Sequence, residues 1–424
     1  MISRFAGFHR DARLFMGTTL VIGAALSLYW IDFNLYLASL GHSTAVIGLV
    51  ATVASTAGAA AAFPASAASD RFGRRAVMAF GVLAAILAII GLVLFEAVGL
   101  IIAFAVLWSI GQQSIGVVQA PFLTEHSTPE HRNELFALQA AIQSVTSVVA
   151  AALGGVVATR LAVSMGFDPG GPGTYRIILV IMAGLLIVGL GTIGLLTDDR
   201  PRRSGSGGAA GGEMPERSRT WLGLRVADRG LFVRLLLPGA LIAIGAGQVI
   251  PFLNLFIEAR FGLDLAELNA LFAITSLGTV AALLGQPALA RRFGQMTSVV
   301  IVQSASIPFL AVLGFSPILW TVIAAMVVRN SLMNAGNPIF SAFAMEQVSP
   351  VERATLAAAM NVLWQLGWVV GGGWYAILQA TIGFDAGYAV NFITVIALYT
   401  IATALYWTWF RSADRRRAQQ QAGA

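Results

Sequence analysis

The chain has 424 residues, of which 57% are hydrophobic and only 11% are charged, against roughly 25% charged residues in an average soluble domain. It contains no cysteine, which excludes disulfides, thiolate metal sites and thiol catalysis. It also contains no lysine, and so it lacks both the basic residue of a phosphate-binding loop and a Schiff-base lysine. ATP-driven pumps and retinal proteins are therefore excluded for this chain alone.

Apolar segments follow one another along the whole chain, and each is long enough to cross a bilayer core, which takes about 20 apolar residues. None shows the ten-residue alternation of polar and apolar residues that is typical of membrane β-barrels. We therefore predict an all-α membrane protein with twelve transmembrane helices. The predicted segments are 14–40, 45–68, 76–95, 98–123, 135–159 and 175–196 in the first half, and 231–257, 266–289, 297–315, 317–345, 355–382 and 387–410 in the second.

The arginines indicate how these helices are oriented. If the N-terminus is cytoplasmic, the outer loops hold only Arg160, Arg176 and Arg260, Arg329 lies within the membrane, and all other arginines face the cytoplasm. Such a distribution follows the positive-inside rule. We expect a multi-pass protein of the bacterial cytoplasmic membrane (the plasma membrane), with both termini on the cytoplasmic side.

A change of composition separates the two sets of six segments. Residues 198–230 are rich in glycine, serine and arginine, which is typical of a flexible linker. We predict an N-terminal six-helix bundle at 1–197, a cytoplasmic linker at 198–230 and a C-terminal six-helix bundle at 231–424. Within this region, 221–234 fits either an amphipathic helix on the membrane surface or a loosely ordered approach to the seventh helix.

The two halves carry the same landmarks, shifted by 221 positions. Because each half has six spans, the halves enter and leave on the same side and are parallel repeats about an axis along the membrane normal. The sequence therefore predicts two six-helix parallel repeats. The matching landmarks are Glu125, Pro129 and Arg132 with Glu346, Pro350 and Arg353; Arg71-Phe72-Gly73 with Arg292-Phe293-Gly294; and Leu40-Gly41 with Phe261-Gly262.

The loop after the second segment reads Ser69-Asp70-Arg71-Phe72-Gly73-Arg74-Arg75, which resembles the Gly-x-x-x-Asp-Arg-x-Gly-Arg-Arg signature of the major facilitator superfamily. Two departures are Ser66 at the leading glycine and Arg291 at the aspartate of the second copy. The resemblance implies a cytoplasmic gate that fastens the halves while the cleft opens outward. The alternative is that these charges only set the orientation of the helices in the membrane. The gate residues would be Asp70, Arg71, Gly73, Arg74, Arg75, Glu125, Arg132, Glu346 and Arg353.

Two ionisable residues fall inside predicted spans, Asp32 in the first and Arg329 in the tenth. Ionisable groups in a membrane are costly and indicate function by default. In the superfamily the first, fourth, seventh and tenth helices line the cleft, and the two residues are expected to pair with each other or with substrate. Our hypothesis is that Asp32 takes up a proton or a cationic group and that Arg329 holds an anionic or carbonyl group. A structural salt bridge, or two residues that each face water, is the alternative.

Further polar and aromatic residues lie on predicted spans and are candidates for the wall of the cleft. Their side chains offer hydrogen bonds and a ring to a ligand, although intramembrane amides also hold helices together. Both roles stay open for each of them. The candidates are Asn34, Gln113, Asn254, Asn330, Asn334, Asn337, Asn361, Trp364 and Gln365.

The resemblance implies a secondary active transporter that moves a small solute by alternating access, with proton coupling as the expected drive and uptake or efflux undecided. The alternative is a transporter-like receptor or scaffold that binds a ligand without translocation. An enzyme is not expected, because no predicted span carries a histidine. We expect a small-molecule substrate, H+ and the lipid bilayer as partners, no cofactor or metal, no nucleic acid, and a monomer.

Overall fold

The computed structural model describes residues 10–126, 132–197, 219–221, 224–226, 228–349 and 352–411. Twelve helical segments follow in the predicted order, and the seventh is interrupted by the 3-10 turn Ile250–Phe252. The helices are α1 Arg10–Ser39, α2 Thr44–Phe72, α3 Arg74–Leu94, α4 Val98–Glu125, α5 Arg132–Ser164, α6 Pro172–Gly194, α7 Arg229–Val249 with Leu253–Phe261, α8 Leu265–Phe293, α9 Gln295–Phe315, α10 Leu319–Gln347, α11 Arg353–Ile382 and α12 Phe384–Phe410.

Most helices extend a few residues beyond the apolar segments that predicted them, because a helix continues past the hydrocarbon region through polar residues. At α7, the Asp228 carboxylate accepts a hydrogen bond from the Leu231 backbone N–H at 3.1 Å, so the helix begins at Arg229. Side-chain caps of this kind satisfy the free N–H groups of a first turn. The interruption of α7 contains Pro251, which has no N–H to donate to the helical ladder.

Nine helical segments in the described part of the chain are long and apolar enough to cross a membrane, namely α1 to α7, α9 and α12. Two of the other helices carry polar residues inside the span: α10 contains Arg329 with three asparagines, and α11 contains Asn361 and Gln365. In α8 the apolar part within the described residues is Leu265–Thr279.

The linker is partly described. Arg219–Trp221 and Leu224–Val226 form two short antiparallel strands, and α7 follows at Arg229. The amphipathic-helix reading of 221–234 is therefore wrong for its first part. The glycine-rich residues 204–212 lie outside the described residues.

The chain divides into two compact units. The first unit comprises residues 1–205 and 252–273, that is α1 to α6 with the second part of α7 and the beginning of α8. The second unit comprises 206–251 and 274–424, that is the first part of α7, the rest of α8 and α9 to α12.

The sequence repeat has equivalent geometry in both units. Gly73 between α2 and α3 has φ of 95° and its counterpart Gly294 between α8 and α9 has φ of 84°. Positive φ values of this size favour glycine, which explains the residue at both turns.

Close approach between helices in each unit depends on glycine. A Cβ on Gly111 of α4 would lie 2.5 Å from the Gly81 backbone oxygen of α3, and a Cβ on Gly371 of α11 would lie 2.4 Å from the Ile244 oxygen of α7. Small residues at such contacts allow helix packing in lipid, where van der Waals contact replaces the hydrophobic drive.

We predict that Gly111→Val destabilises the protein by about 1–3 kcal/mol, the usual cost of overpacking, because its side chain meets the backbone of α3. Gly116→Val is the matched control, since it lies on the same helix with nothing within 4 Å of an added Cβ. Thermal unfolding in detergent measures both variants. Equal unfolding temperatures for the two variants would contradict the close α3–α4 contact.

Candidate functional site

Asp32 lies in a buried polar cluster of the first unit, and it is only 3% exposed. The Asn269 side-chain amide of α8 donates to Asp32 Oδ1 at 3.1 Å and to the Leu265 backbone oxygen at 3.0 Å. The Asn254 amide of α7 donates to the backbone oxygen of Ile31 at 2.6 Å. α1 is thus joined to α7 and α8 around Asp32. We call Asp32, Asn254 and Asn269 the Asp32 cluster.

The packing beside the Asp32 cluster is tight and apolar. Ile31, Ala151 and Ala273 form a buried hydrophobic group. A Cβ on Gly155 of α5 would lie 2.9 Å from the Leu265 oxygen and 3.0 Å from Asn269, so only glycine allows α5 and α8 to come this close. Low-dielectric surroundings of this kind strengthen the electrostatic effect of the carboxyl group.

The negative charge of an ionised Asp32 is only weakly stabilised by the groups around it. Its hydrogen-bond partner within the described residues is a neutral amide, and Asp32 Oδ2 and Asn269 Oδ1 are buried with no hydrogen-bond partner there. Burial of an ionised carboxylate without a cation costs several kcal/mol, and protonation removes that cost. The geometry therefore suits a carboxyl group that gains and loses a proton.

Arg329 has its partner within the second unit. It is 5% exposed, its Nη2 donates to the Tyr399 hydroxyl at 3.1 Å, and its guanidinium carbon lies 5.7 Å from the Tyr399 ring centroid. Its Nε has no hydrogen-bond partner among the described residues. The structure thus gives Asp32 and Arg329 separate neutral partners, Asn269 and Tyr399. Their mutual pairing stays a prediction.

The second unit contains a cavity of about 240 Å³, which we call the inner cavity. Two of the predicted ligand residues, Asn337 and Trp364, line it. Phe340 and Tyr406 stand on its wall with ring centroids 4.8 Å apart. The complete lining is Leu235, Leu236, Gly239, Ala240, Ile242, Gln303, Asn337, Phe340, Ser341, Met360, Leu363, Trp364 and Tyr406.

A chain of polar contacts leads from the inner cavity to Arg329. Gln303 lines the cavity and its side-chain carboxamide lies 3.4 Å from the Thr403 hydroxyl. Thr403 bonds the Tyr399 backbone oxygen at 2.7 Å, and the Tyr399 hydroxyl accepts from Arg329. Gln303, Thr403 and Tyr399 thus lie in series between the cavity wall and Arg329.

The remaining predicted amides divide between helix contacts and exposed positions. Asn330 donates to Thr279 of α8 at 3.3 Å, and Asn334 donates to the Asn330 backbone oxygen at 2.9 Å, as helix-joining amides do. Asn34 is buried, Gln113 and Gln365 are half-buried, and Asn361 is exposed. None of these six lines the inner cavity in the described structure.

The first copy of the predicted gate is an ion pair. Arg74 donates to Glu125 Oε1 through Nη2 at 2.9 Å and Nε at 3.3 Å, and through Nη1 to the Ser69 hydroxyl at 2.7 Å. Arg75 donates to the Gly194 backbone oxygen at 2.6 Å. These contacts join α3 to the ends of α2, α4 and α6 on one side of the bundle. Arg71 instead is exposed, with its guanidinium 5.2 Å from the Phe72 ring.

The second copy of the gate is weaker. The Gln295 amide occupies the place of Arg74 and donates to Glu346 Oε1 at 3.4 Å. Arg353 Nε donates to the Met345 backbone oxygen at 3.0 Å. The side chains of Asp70 and Arg132 lie outside the described residues, so their predicted roles stay predictions.

Asn269, Gln303, Tyr399 and Tyr406 are among the residues of these sites that the sequence-based set lacks. They lie on the eighth, ninth and twelfth helices, which the resemblance does not place at the cleft. The sequence did offer one signal, a polar residue inside a predicted apolar span, and Asn269 and Gln303 show it as Asp32 does.

The model of the Major Facilitator Superfamily matches residues 15–372. Among curated proteins, none matches the chain. Solved structures are similar in fold: a bacterial homologue of the human lysosomal transporter Spinster, in an inward-facing and occupied conformation, is 16% identical with a TM-score of 0.72, covering 94% of this chain and 96% of its own.

Two further structures share the fold at similar levels. The nucleoside transporter NupG (a variant structure) is 12% identical with a TM-score of 0.73, over 93% of this chain and 100% of that one. A D-xylose-proton symporter is 12% identical with a TM-score of 0.71, over 93% and 97%. With the helix order, the paired gate contacts and the match over most of its length, this multi-pass membrane protein belongs to the Major Facilitator Superfamily of secondary transporters.

Proposed function

We propose that the protein moves a small solute across the bacterial cytoplasmic membrane by alternating access, driven by a proton gradient, with Asp32 as the proton carrier. The observation that carries the coupling proposal is the burial of Asp32 against a neutral amide. A carboxylate permanently paired to arginine would hold its charge and resist protonation. Asp32 instead bonds a neutral amide, which leaves its carboxyl group free to gain and lose a proton.

Protonation of Asp32 also has a structural consequence in this proposal. Asn269 and Asn254 attach α8 and α7 to the part of α1 that carries Asp32. A neutral carboxyl group accepts a weaker hydrogen bond than a carboxylate does. Proton uptake therefore loosens the contact between α1 and α8, and this change biases the exchange between outward-open and inward-open states.

The proposed moving parts are the halves 1–197 and 231–424, joined by the linker 198–230, with both termini cytoplasmic and the protein acting as a monomer. Two of the gate contacts are repeat-equivalent, the Arg74–Glu125 pair and the Gln295–Glu346 bond, and each lies within its own half. The proposal adds that the same cytoplasmic ends fasten one half to the other while the cleft opens outward. Exposed ion pairs contribute about 0–1 kcal/mol each. Contacts of that strength can break in every cycle.

For Arg329, the contacts support a positioning role in the described state. Its guanidinium is bonded to Tyr399, and a carbonyl or anionic group of the substrate would have to displace that tyrosine hydroxyl. The receptor or scaffold alternative, in which a ligand binds without crossing, is tested by solute exchange across vesicles. An enzymatic role has no support in the sites described.

We predict that Asp32→Asn abolishes proton coupling, because an amide carries no titrating proton. Uptake into proteoliposomes should lose its dependence on the pH gradient, whereas exchange of labelled for unlabelled solute should persist within about tenfold of the parent rate. The solute is selected beforehand by thermal shift, where a ligand at 100 times its dissociation constant adds about 2.7 kcal/mol.

Asp11→Asn is the matched control for this experiment. Asp11 is also a buried acid on α1, at 1% exposed, but it lies 3.7 Å from the His126 ring near the cytoplasmic end. Coupling should survive this change. Unaltered dependence of transport on the pH gradient in Asp32→Asn would rule out the carrier role, and a ligand that stabilises the protein without exchanging would favour the receptor alternative.

We predict opposite effects from two gate substitutions. Arg74→Gln turns the first copy into the second and should lower the free energy of unfolding by up to about 1 kcal/mol, whereas Gln295→Arg builds the ion pair in the second copy and should raise it by a similar amount. Chemical or thermal unfolding in detergent measures both. Shifts of the same sign would show that the two contacts are not equivalent.

A further inference from the structure

The inner cavity has a lining that selects its occupant by charge. We infer that it binds an uncharged solute that carries a flat ring and hydrogen-bonding groups, and that Gln303 is its main specificity-determining residue. The inference rests on the proposed transport function in one respect, namely that the occupant is the transported solute. The chemistry of the site itself follows from the residues around it.

The lining is polar but carries no formal charge. Among the described residues that line the inner cavity, the polar groups are the amides of Gln303 and Asn337 and the hydroxyls of Ser341 and Tyr406, and none is an acid or a base. Asn337 and Ser341 are exposed, so a bound solute keeps part of its hydration; a charged solute gives up the rest without gaining a counter-charge, which costs more than the burial of a neutral polar group that finds a hydrogen bond. The cavity therefore favours neutral solutes.

Arg329, the buried cation of α10, is engaged elsewhere. It lies eight residues from Asn337 on α10, a distance of about 12 Å along the helix axis, and it is bonded to Tyr399. Arg329 is not part of the cavity lining in the described structure. Its charge therefore does not reach a bound solute directly.

The aromatic residues favour a ring. Phe340 and Tyr406 contact each other at the wall, and Trp364, which is 40% exposed, contributes a third ring from α11. Aromatic pairs contribute about 0.5–1.5 kcal/mol beyond their buried area. The volume of about 240 Å³ corresponds to that of about eight water molecules in the liquid, which suits one small ring system with its substituents.

Gln303 is the buried amide of the lining, at 6% exposed. Its Oε1 lies 3.4 Å from the Thr403 hydroxyl, whose single proton is shared with the Tyr399 backbone oxygen at 2.7 Å. The side-chain NH2 group of Gln303 has no part in this contact and can donate to a solute. A held amide costs little entropy on binding and rejects a solute that lacks its complement.

The chain offers a direct test because it contains no cysteine. Ser341→Cys places a single thiol at the cavity wall, and Ser164→Cys places one at an exposed end of α5 as the control for reagent reactivity. Purified protein is treated with methyl, sulfonatoethyl and trimethylammonioethyl methanethiosulfonate, which are neutral, anionic and cationic. Relative to the control, the neutral reagent should modify Cys at 341 about tenfold faster than either charged reagent, which equals about 1.4 kcal/mol.

Protection by a small ligand tests the specificity of the same site. Millimolar benzamide should slow the modification, whereas benzoate and benzylammonium should not. Gln303→Leu, which keeps the volume of the side chain, should abolish the protection, and Gln365→Leu on the same unit should leave it in place. Three results would each overturn the inference. They are modification by a charged reagent at the relative rate of the neutral one, a lack of protection by benzamide, and protection that persists in Gln303→Leu.

The outcomes separate this inference from the proposed function. Labelling and protection measure access and binding, and neither requires transport. Neutral selectivity without solute exchange would leave the inner cavity as described and remove the transport proposal. Proton-coupled exchange of a charged solute, together with rapid labelling by a charged reagent, would support the transport proposal and overturn the inference that the inner cavity selects neutral solutes.

Discussion

The energetic cost of burying a polar group away from water governs how this protein is built. In the hydrocarbon region each amide, hydroxyl or charge needs a partner inside the chain. Most buried polar residues have one: Asn254 bonds the backbone of Ile31, Asn330 bonds Thr279, and Arg329 bonds Tyr399. Asp32 and Arg329 are the charged cases: each has a neutral hydrogen-bond partner in the described structure, and Asp32 Oδ2 and Arg329 Nε have none there. Of these two groups, the carboxyl group of Asp32 is the one that a single proton can neutralise.

The same constraint explains how the two units differ in their polar interiors. In the first unit, the Asp32 cluster is closely packed, with glycine at position 155 where α5 meets α8. In the second unit, polar groups surround an open cavity and are linked along one face of α12 through Thr403 and Tyr399. A packed site favours a small occupant such as a proton, and an open one favours a solute. The proposed division of labour between the two sites follows from this contrast.

Much of the fold could be predicted from the sequence, because hydropathy and arginine placement act locally. The order of the helices is as predicted, and the glycine turns at 73 and 294 have matching backbone angles. The site was harder to predict. Asn337 and Trp364, two of the predicted ligand residues, line the inner cavity, whereas Asn269, Gln303 and Tyr399 lie on helices that the resemblance does not place at the cleft. Which buried polar residue faces which neighbour depends on helix rotation and crossing, and neither is encoded in the composition of a single span.

The two unequal gate contacts respond differently to the salt concentration around them. The Arg74–Glu125 contact joins two opposite full charges, with Glu125 46% exposed, whereas Gln295–Glu346 joins one charge to a dipole. Dissolved salt shortens the range of the first interaction, from about 10 Å at 0.1 M to about 3 Å at 1 M, and affects the second less. Salt therefore weakens the contact of Arg74 more than the contact of Gln295, and this difference depends on the charge of one arginine side chain.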